Sequence, residues 1–234
     1  MNDACAGLRK FLEEGIIVDL LLLAEARGFL ECLQQNHTAI GRSSFSEVLA
    51  SLADMANRQY VLVLCRLYEQ PRARKGVSVH GLLDLLSRKA TTMPLADPAK
   101  IRRLIFISEG KIDRTVFALQ APQLLSRLVR TCGTRLPTPQ RAKTDRLSAA
   151  LASLRTLRNK ALAHGDLYPL EKIGTVTWRE CDKLVSLVTD LVDSVQQAYF
   201  GTSTKPKLHA ARESAETELM RLLRAAGVLD QQDL

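Results

Sequence analysis

The sequence lacks the clusters of cysteine and histidine from which metal sites and disulfide frameworks are built. Its five cysteines are odd in number and widely spaced, without a Cys-x-x-Cys pair, and its four histidines are scattered along the chain. This pattern argues against a disulfide framework and against a structural zinc site. We therefore expect a reduced, cytoplasmic protein that uses no metal ion and no cofactor.

Long apolar runs and aromatic residues are also scarce. The densest apolar run, residues 16–24, contains Asp19 and is far shorter than the roughly 20 residues that cross a membrane. The N-terminus shows no secretory pattern, so we expect no membrane association. Aromatic residues make up only 5% of the chain. Leu and Ala dominate instead, and no stretch alternates apolar with polar residues. This combination predicts an all-α fold built by helix packing.

Positive charge is in excess over the whole chain. The formal net charge is +8, which favours an anionic partner, with nucleic acid first and an acidic protein second. Six basic residues lie between Arg141 and His164, against Asp145 alone. Arg146, Arg155 and Lys160 are therefore candidate RNA contacts, although a solvated basic face gives the same pattern.

Helix start and stop signals divide the chain into successive elements. Residues 44–47 and 177–180 have the form of capping boxes, whereas Asp97-Pro98 and Thr138-Pro139 pair an N-cap residue with proline. These signals predict helices over 3–36, from 44 to Pro71, over 98–132 with interruptions, over about 139–164, and from 177 to 200. We predict a polar connector at 36–43 and a loop at 133–139.

The C-terminal part of the chain is predicted to stand apart from the main helical domain. Residues 202–207 have the composition of a linker, and residues 208–229 have the pattern of a more polar helix. The sequence therefore predicts one helical domain over residues 1–200, followed over 201–234 by a linker and a helical appendage.

The most informative stretch is Leu154-Arg-Thr-Leu-Arg-Asn-Lys-Ala-Leu-Ala-His-Gly-Asp166. Arg158 is always charged and can hold a phosphate, while His164 titrates near neutral pH and can move a proton. Each residue also has a structural interpretation. Arg158 suits an ion pair with Asp166 or with a residue of the next helix, His164 suits a C-terminal helix cap, and Asn159 suits a polar surface.

Helical geometry separates Arg158 from His164. Arg158 lies on the same side of the helix as Leu151 and Leu154, whereas His164 lies on the neighbouring side, with Leu157. The two residues lie about 120° apart around the axis, so one straight helix does not present both to a single ligand. A twofold pairing of two chains would bring two arginines and two histidines into one groove.

The spacing from Arg158-Asn159 to His164 resembles the signature of HEPN domains (higher eukaryote and prokaryote nucleotide-binding), which are all-helical ribonucleases and their relatives. The longer string from Leu154 to Asp166, together with the earlier residues 61–68, resembles the AbiU-like abortive-infection branch. The resemblance implies a HEPN-like helical bundle with additional N-terminal and C-terminal helices.

The resemblance also implies an activity. It implies a metal-independent endoribonuclease that acts as a homodimer, in which a ribose 2′-hydroxyl attacks the adjacent phosphate at a composite dimer site. His164 would act as base or acid, and Arg158 would stabilise charge on the phosphate. Asn159 would orient the histidine or contact the phosphate, and Asp166 would support the site.

The implied biological role is that of a toxin or phage-defence effector in abortive infection. Such an effector requires restraint by an antitoxin, for which a nucleotidyltransferase-like protein is the candidate. The main alternative is a non-catalytic HEPN-like module that binds RNA or protein. A sequence-specific DNA regulator fits less well, because the turn before Thr177 is too long for a helix-turn-helix.

Overall fold

The computed structural model describes residues 3–70, 77–89, 95–109, 115–164 and 176–229. Its α-helices, in chain order, are α1 (Asp3–Phe11), α2 (Ile17–Gln35), α3 (His37–Arg42), α4 (Ser46–Leu67), α5 (Val79–Lys89), α6 (Pro98–Glu109), α7 (Thr115–Ala118), α8 (Ala121–Arg135), α9 (Arg146–His164), α10 (Trp178–Phe200) and α11 (Lys205–Ala225). No strand occurs within these ranges, so the predicted all-α class is confirmed. None of the described helices is long and apolar enough to cross a membrane.

Helix α2 lies at the centre of the core. A π-helical turn at Leu12–Ile16 joins it to α1, and its buried stripe includes Ile17, Leu20 and Leu23. Asp19 lies within this buried surface and is only 4% exposed. Its carboxylate accepts hydrogen bonds from the guanidinium of Arg66 on α4, with the Nε to Oδ2 distance at 2.8 Å. Because a buried carboxylate is costly without a partner, this pair fixes the register of α2 against α4.

The start of α4 differs from the predicted capping box. The helix begins at Ser46, and the N-cap residue, Phe45, makes no side-chain capping bond. The preceding residues are also not a connector, because His37–Arg42 forms α3 and buries Ile40 against Leu49. The connector prediction is wrong because burial of Ile40 selects a helix where the sequence is polar. The capping-box prediction is wrong because the Phe45 N–H donates to the Ser43 hydroxyl and no side-chain cap forms at the start of α4. The predicted end at Pro71 lies outside the described residues, and α4 itself ends at Leu67.

The motif helix α9 begins at Arg146, and not near residue 139 as the Thr138-Pro139 signal predicts. Pro139 opens only a short 3₁₀ turn. Asp145 caps α9 instead, since its Oδ2 accepts the backbone N–H of Ser148 at 2.8 Å and the Ser148 hydroxyl at 2.5 Å. Ser148 is fully buried and accepts in turn the N–H of Thr138. The Thr138-Pro139 signal therefore closes the loop before α9 and does not start the helix.

The loop predicted at 133–139 is shorter than expected. Helix α8 continues through Gly133 to Arg135, and the N–H of Leu136 donates to the Cys132 carbonyl at 2.7 Å. Glycine in a helix interior costs free energy but does not prevent helix formation when its neighbours are buried.

The predicted capping box at the start of α10 is confirmed. The N–H of Thr177 donates to Glu180 Oε2 at 2.8 Å, and the N–H of Glu180 donates to Thr177 Oγ1 at 3.3 Å. The helix ends, as predicted, at Gly201, whose φ of 68° lies in the left-handed region. Only glycine adopts this conformation without strain.

Helix α11 begins at Lys205 and packs along α2. Its first turn is held by the buried carboxylate of Asp193, whose Oδ1 accepts the Ser203 hydroxyl at 2.6 Å and the Thr204 N–H at 2.8 Å. At the other end, Leu219 and Leu223 are buried with residues of α2 in a second apolar cluster. The division between residues 1–200 and an appendage at 201–234 stays a prediction, but the contact between α11 and α2 is tight.

The close approach of these two helices depends on Gly28. A Cβ atom at this position would lie 2.3 Å from the backbone oxygen of Arg212. We predict that Gly28→Ala lowers the free energy of unfolding by about 1–3 kcal/mol, because a helix backbone must move to admit the methyl group. Gly41→Ala is the matched control, because its Cβ would meet nothing within 4 Å in the short helix α3. The control should stabilise by about 0.5 kcal/mol. Urea denaturation measures both values, and equal stability of the two variants would contradict the close contact.

Candidate functional site

The guanidinium of Arg158 lies between two partners near the exposed end of the α4–α9 contact. Its Nη1 donates to Glu69 Oε1 at 3.2 Å, and its Nε and Nη2 donate to Asn159 Oδ1 at 3.3 and 3.2 Å. The Arg158 side chain is 23% exposed, and that of Glu69 is 56% exposed. Arg158 is therefore accessible, and its ion-pair partner comes from the end of α4 rather than from the next helix.

Arg158 reaches this position because the preceding turns of α9 are anchored. Leu151 and Leu154 are buried in the core, in agreement with the predicted apolar side of the helix. Arg155 Nη2 donates to the Tyr68 carbonyl at 2.7 Å, and the fully buried Tyr68 hydroxyl donates to the Leu184 carbonyl at 2.7 Å. A cation at the C-terminal end of α4 also suits the helix dipole. Arg155 thus joins α9 to the end of α4, and its predicted contact with RNA stays a prediction.

Arg146 lies at the opposite end of α9. Twelve residues separate it from Arg158, which corresponds to about 18 Å along the helix axis. Its Nε donates to Glu180 Oε1 at 2.5 Å, although the Arg146 side chain is 78% exposed and that of Glu180 only 7%. The structure therefore does not bring Arg146 next to Arg158. The predicted RNA contact of Arg146 stays a prediction as well.

The pKa of Glu180 is lowered to about 2. The largest cause is the hydrogen bond from the Thr177 backbone N–H, followed by the hydrogen bond from Arg146, while burial acts in the opposite direction. Hydrogen bonds to a carboxylate favour its charged form. Glu180 is therefore a structural anion that holds the start of α10 against the start of α9.

The remaining residues of the motif are less completely described. Helix α9 continues to His164, its last residue. The side chains of Lys160 and His164, and the whole of Asp166, lie outside the described residues. Their predicted roles therefore stay predictions, as does the meeting of His164 with Arg158 in one site.

Two residues beside the motif helix are not indicated by the sequence pattern. Glu69 lies 89 residues before Arg158, and no local signal connects the two. His80, in the first turn of α5, is half-buried, and its pKa is lowered by burial and by the nearby charge of Arg155. Its imidazole is therefore neutral at pH 7 and can accept a proton or a hydrogen bond.

Nearby thiols and metal ligands offer no further chemistry in the described part of the chain. Burial raises the pKa of Cys65 to about 11, although the charges of Arg158 and Arg155 oppose the shift. This thiol is therefore protonated at neutral pH and is a poor nucleophile. Within the described ranges, no group of three His, Cys, Asp or Glu side chains could hold a metal ion. Among the described side chains at this end of α9, the guanidinium groups of Arg155 and Arg158 are the ones suited to a phosphate.

Comparison with known families identifies the family of the chain. The family model described as AbiU2, a HEPN family, matches residues 52–218, well over half of the chain. The chain belongs to the HEPN AbiU2 family. The matched span begins within α4 and ends within α11, and it contains all of α9. No curated protein and no solved structure matches this HEPN AbiU2 chain. The family resemblance drawn from the motif and the HEPN-like helical bundle are thus confirmed.

The lowered pKa of Glu180 predicts how stability depends on pH. Its unperturbed pKa is 4.5, so the carboxylate stabilises the fold fully above pH 4.5 and loses this contribution as the pH falls towards 2. We expect Glu180→Gln to lower the free energy of unfolding by about 1 kcal/mol at pH 7, because a capping and ion-pair acceptor loses its charge.

The difference between wild type and Glu180→Gln should shrink progressively below pH 4.5, as measured by urea denaturation across the pH range. Glu218→Gln is the control, since Glu218 forms only an exposed pair with Arg221 on α11 and should change little at any pH. If the free energy of unfolding of Glu180→Gln differed from that of wild type as much at pH 3 as at pH 7, the lowered pKa of Glu180 would be contradicted.

Proposed function

We propose that this HEPN AbiU2 protein is a metal-independent endoribonuclease that serves as a toxin or abortive-infection effector. The observation that carries the proposal is the accessible guanidinium of Arg158. This residue lies on the helix that ends at His164, and its guanidinium is held by Asn159 and Glu69. The family match over residues 52–218 supports it, because the whole motif helix lies inside the matched span.

The contacts of Arg158 suit a phosphate-binding role. A guanidinium carries five N–H donors in a planar fork, which matches the oxygens of a phosphate group. Asn159 Oδ1 accepts hydrogen bonds from two nitrogens of the Arg158 guanidinium and so orients it. The exposed carboxylate of Glu69 occupies the position that a bound anion would take. An exposed ion pair is weak, so a phosphodiester can displace Glu69 at small cost. Asn159 is then a positioning residue for Arg158, in addition to its proposed contact with the phosphate.

The proposed reaction cuts the RNA chain without an external nucleophile. A base takes the proton of the ribose 2′-hydroxyl, the oxygen forms a bond to the adjacent phosphorus, and the bond from phosphorus to the 5′-oxygen breaks. The leaving oxygen receives a proton from an acid, which leaves a 2′,3′-cyclic phosphate and a 5′-hydroxyl. His164 acts as base or acid, with Asp166 as its supporting residue, and Arg158 stabilises the charge that develops on the phosphate.

The proposed site is composite and requires a homodimer. Arg158 and His164 lie about 120° apart on one straight helix, so two chains related by a twofold axis supply the groove in which both types of residue meet. The positive net charge of +8 supports an RNA substrate, with Arg146, Arg155 and Lys160 as further contacts to its backbone.

A ribonuclease of this kind requires restraint inside the cell that makes it. We propose a cognate antitoxin as the partner, with a nucleotidyltransferase-like protein as the candidate. Binding of an antitoxin across the dimer groove would cover Arg158.

One observation favours a second function, a non-catalytic HEPN module that binds RNA or protein. In this structure the Arg158 guanidinium is already paired with Glu69, as expected for a structural arginine. Both functions allow RNA binding, but only the ribonuclease generates cyclic phosphate ends.

Substitution of Arg158 or His164 should abolish RNA cleavage. We expect Arg158→Ala and His164→Ala each to lower the cleavage rate by at least about a hundredfold in EDTA, because one removes transition-state charge stabilisation and the other removes proton transfer. Gel analysis of labelled RNA measures the rate and identifies cyclic phosphate ends. Arg221→Ala, which removes an exposed arginine from α11, controls for the loss of one positive charge. Cleavage that survives both motif substitutions would contradict the proposal. RNA binding by the wild type without cleavage would favour the non-catalytic module.

The composite site predicts that two inactive variants complement each other. A mixed dimer of Arg158→Ala and His164→Ala retains one Arg158 and one His164, so mixing the two proteins should restore part of the cleavage activity. The control mixes Arg158→Ala with the double variant, whose mixed dimers contain no Arg158. Mass spectrometry of differently tagged chains establishes that mixed dimers form. Mixed dimers as inactive as the control would contradict a shared groove.

A further inference from the structure

A cleft of about 430 Å³ lies between α2, α4, α9 and α10, and the proposed chemistry does not use it. Its walls are mainly apolar and come from all four helices. They include Leu30 of α2, Ala53 of α4, Leu157 of α9 and Trp178 of α10. The polar groups that line it are few, among them Arg27, Asn57 and Tyr60.

The wall around Trp178 is rigid and aromatic. The Arg27 guanidinium stacks over the Trp178 ring at 4.3 Å from its centroid, and the Tyr60 ring meets the Trp178 ring edge-on at 5.3 Å. Tyr60 is almost fully buried, whereas Trp178 is partly exposed. Stacked and edge-on contacts of this kind hold an aromatic side chain in one orientation. Trp178 thus presents a preformed apolar surface at the cleft.

The charge of the cleft is balanced. Arg27 Nη2 lies 3.2 Å from Glu31 Oε1 and 3.2 Å from Asp182 Oδ2, so the single cation in this wall already has two carboxylate partners. A bound anion would therefore gain little, and a bound cation would lose its hydration without a free carboxylate in return. An uncharged ligand therefore suits this wall better than an ion.

The size and lining of the cleft match those of small-molecule sites. Sites for small molecules span roughly 300–1,000 Å³, are mainly apolar and carry a few convergent polar groups. We propose that this cleft binds a small, uncharged, largely apolar molecule that packs against Trp178. This proposal does not depend on ribonuclease activity.

The position of Trp178 makes the proposal directly measurable. It is the only tryptophan of the chain, so its fluorescence reports on the cleft alone. Phenylnaphthylamine is a suitable probe, since it is uncharged and aromatic, and it absorbs where tryptophan emits. We expect saturable quenching of Trp178 by one probe molecule per chain, together with a melting temperature that rises with probe concentration. Anilinonaphthalene sulfonate differs from this probe by one sulfonate and should bind at least about tenfold more weakly.

Matched substitutions on α4 separate the cleft from other apolar surfaces. Ala53→Phe and Asn57→Phe place a ring inside the cleft and should each weaken probe binding at least about tenfold. Ala50→Phe places the same ring at an exposed position of the same helix and should leave binding unchanged. Circular dichroism of each variant establishes that it is folded, and two cleft variants keep the test valid when one fails to fold. Absence of saturable quenching, unchanged binding by a folded cleft variant, or tighter binding of the sulfonate would overturn the proposal.

Discussion

The hydrogen bond from Arg155 to the Tyr68 carbonyl joins the motif helix to the end of α4, and the position of the candidate site depends on it. Tyr68 is fully buried, and its hydroxyl donates to the Leu184 carbonyl, so α4, α9 and α10 meet at one point. Loss of this junction would leave buried polar groups without partners, which is costly. Because Arg155 lies about one turn before Arg158 on α9, the junction also brings the end of α4 close to Arg158. Glu69, the next residue after Tyr68, is thereby brought to the Arg158 guanidinium.

Two buried carboxylates of the described residues hold helices together, and a third, exposed carboxylate lies in the candidate site. Asp19 and Glu180 are almost fully buried, and each accepts hydrogen bonds from an arginine of another helix. Loss of the arginine leaves a buried carboxylate without its partner, so these pairs are poor candidates for exchange with a ligand. Glu69 is more than half exposed and is held by a single longer contact. Among these three arginine–carboxylate pairs, the one at Arg158 is therefore the most easily displaced by another anion.

The helices before residue 52 belong to the same packed unit as the family-matched span. The match begins within α4, yet α2 supplies Asp19 for Arg66 and shares one apolar core with α4 and α10. Helix α2 also supplies a wall of the cleft beside Trp178, and its Gly28 admits the backbone of α11. Because α2 contacts the matched helices on several sides, its removal would expose a large apolar surface. The N-terminal helices are thus part of the core rather than an attachment to it.

Features of the fold that depend only on neighbouring residues are predictable from the amino-acid sequence. The all-α class follows from composition and helical periodicity, and the capping box at Thr177 is correct because both partners lie within one turn. The motif likewise identified the family and placed Arg158 beside Asn159. Where two local signals compete, as Thr138 and Asp145 do before α9, only burial of Ser148 decides which one caps the helix. The partner of Arg158 was decided by tertiary structure alone, since Glu69 lies 89 residues away and no local pattern records which helix ends meet. The cleft at Trp178 has the same origin, because its walls come from four helices that only packing brings together.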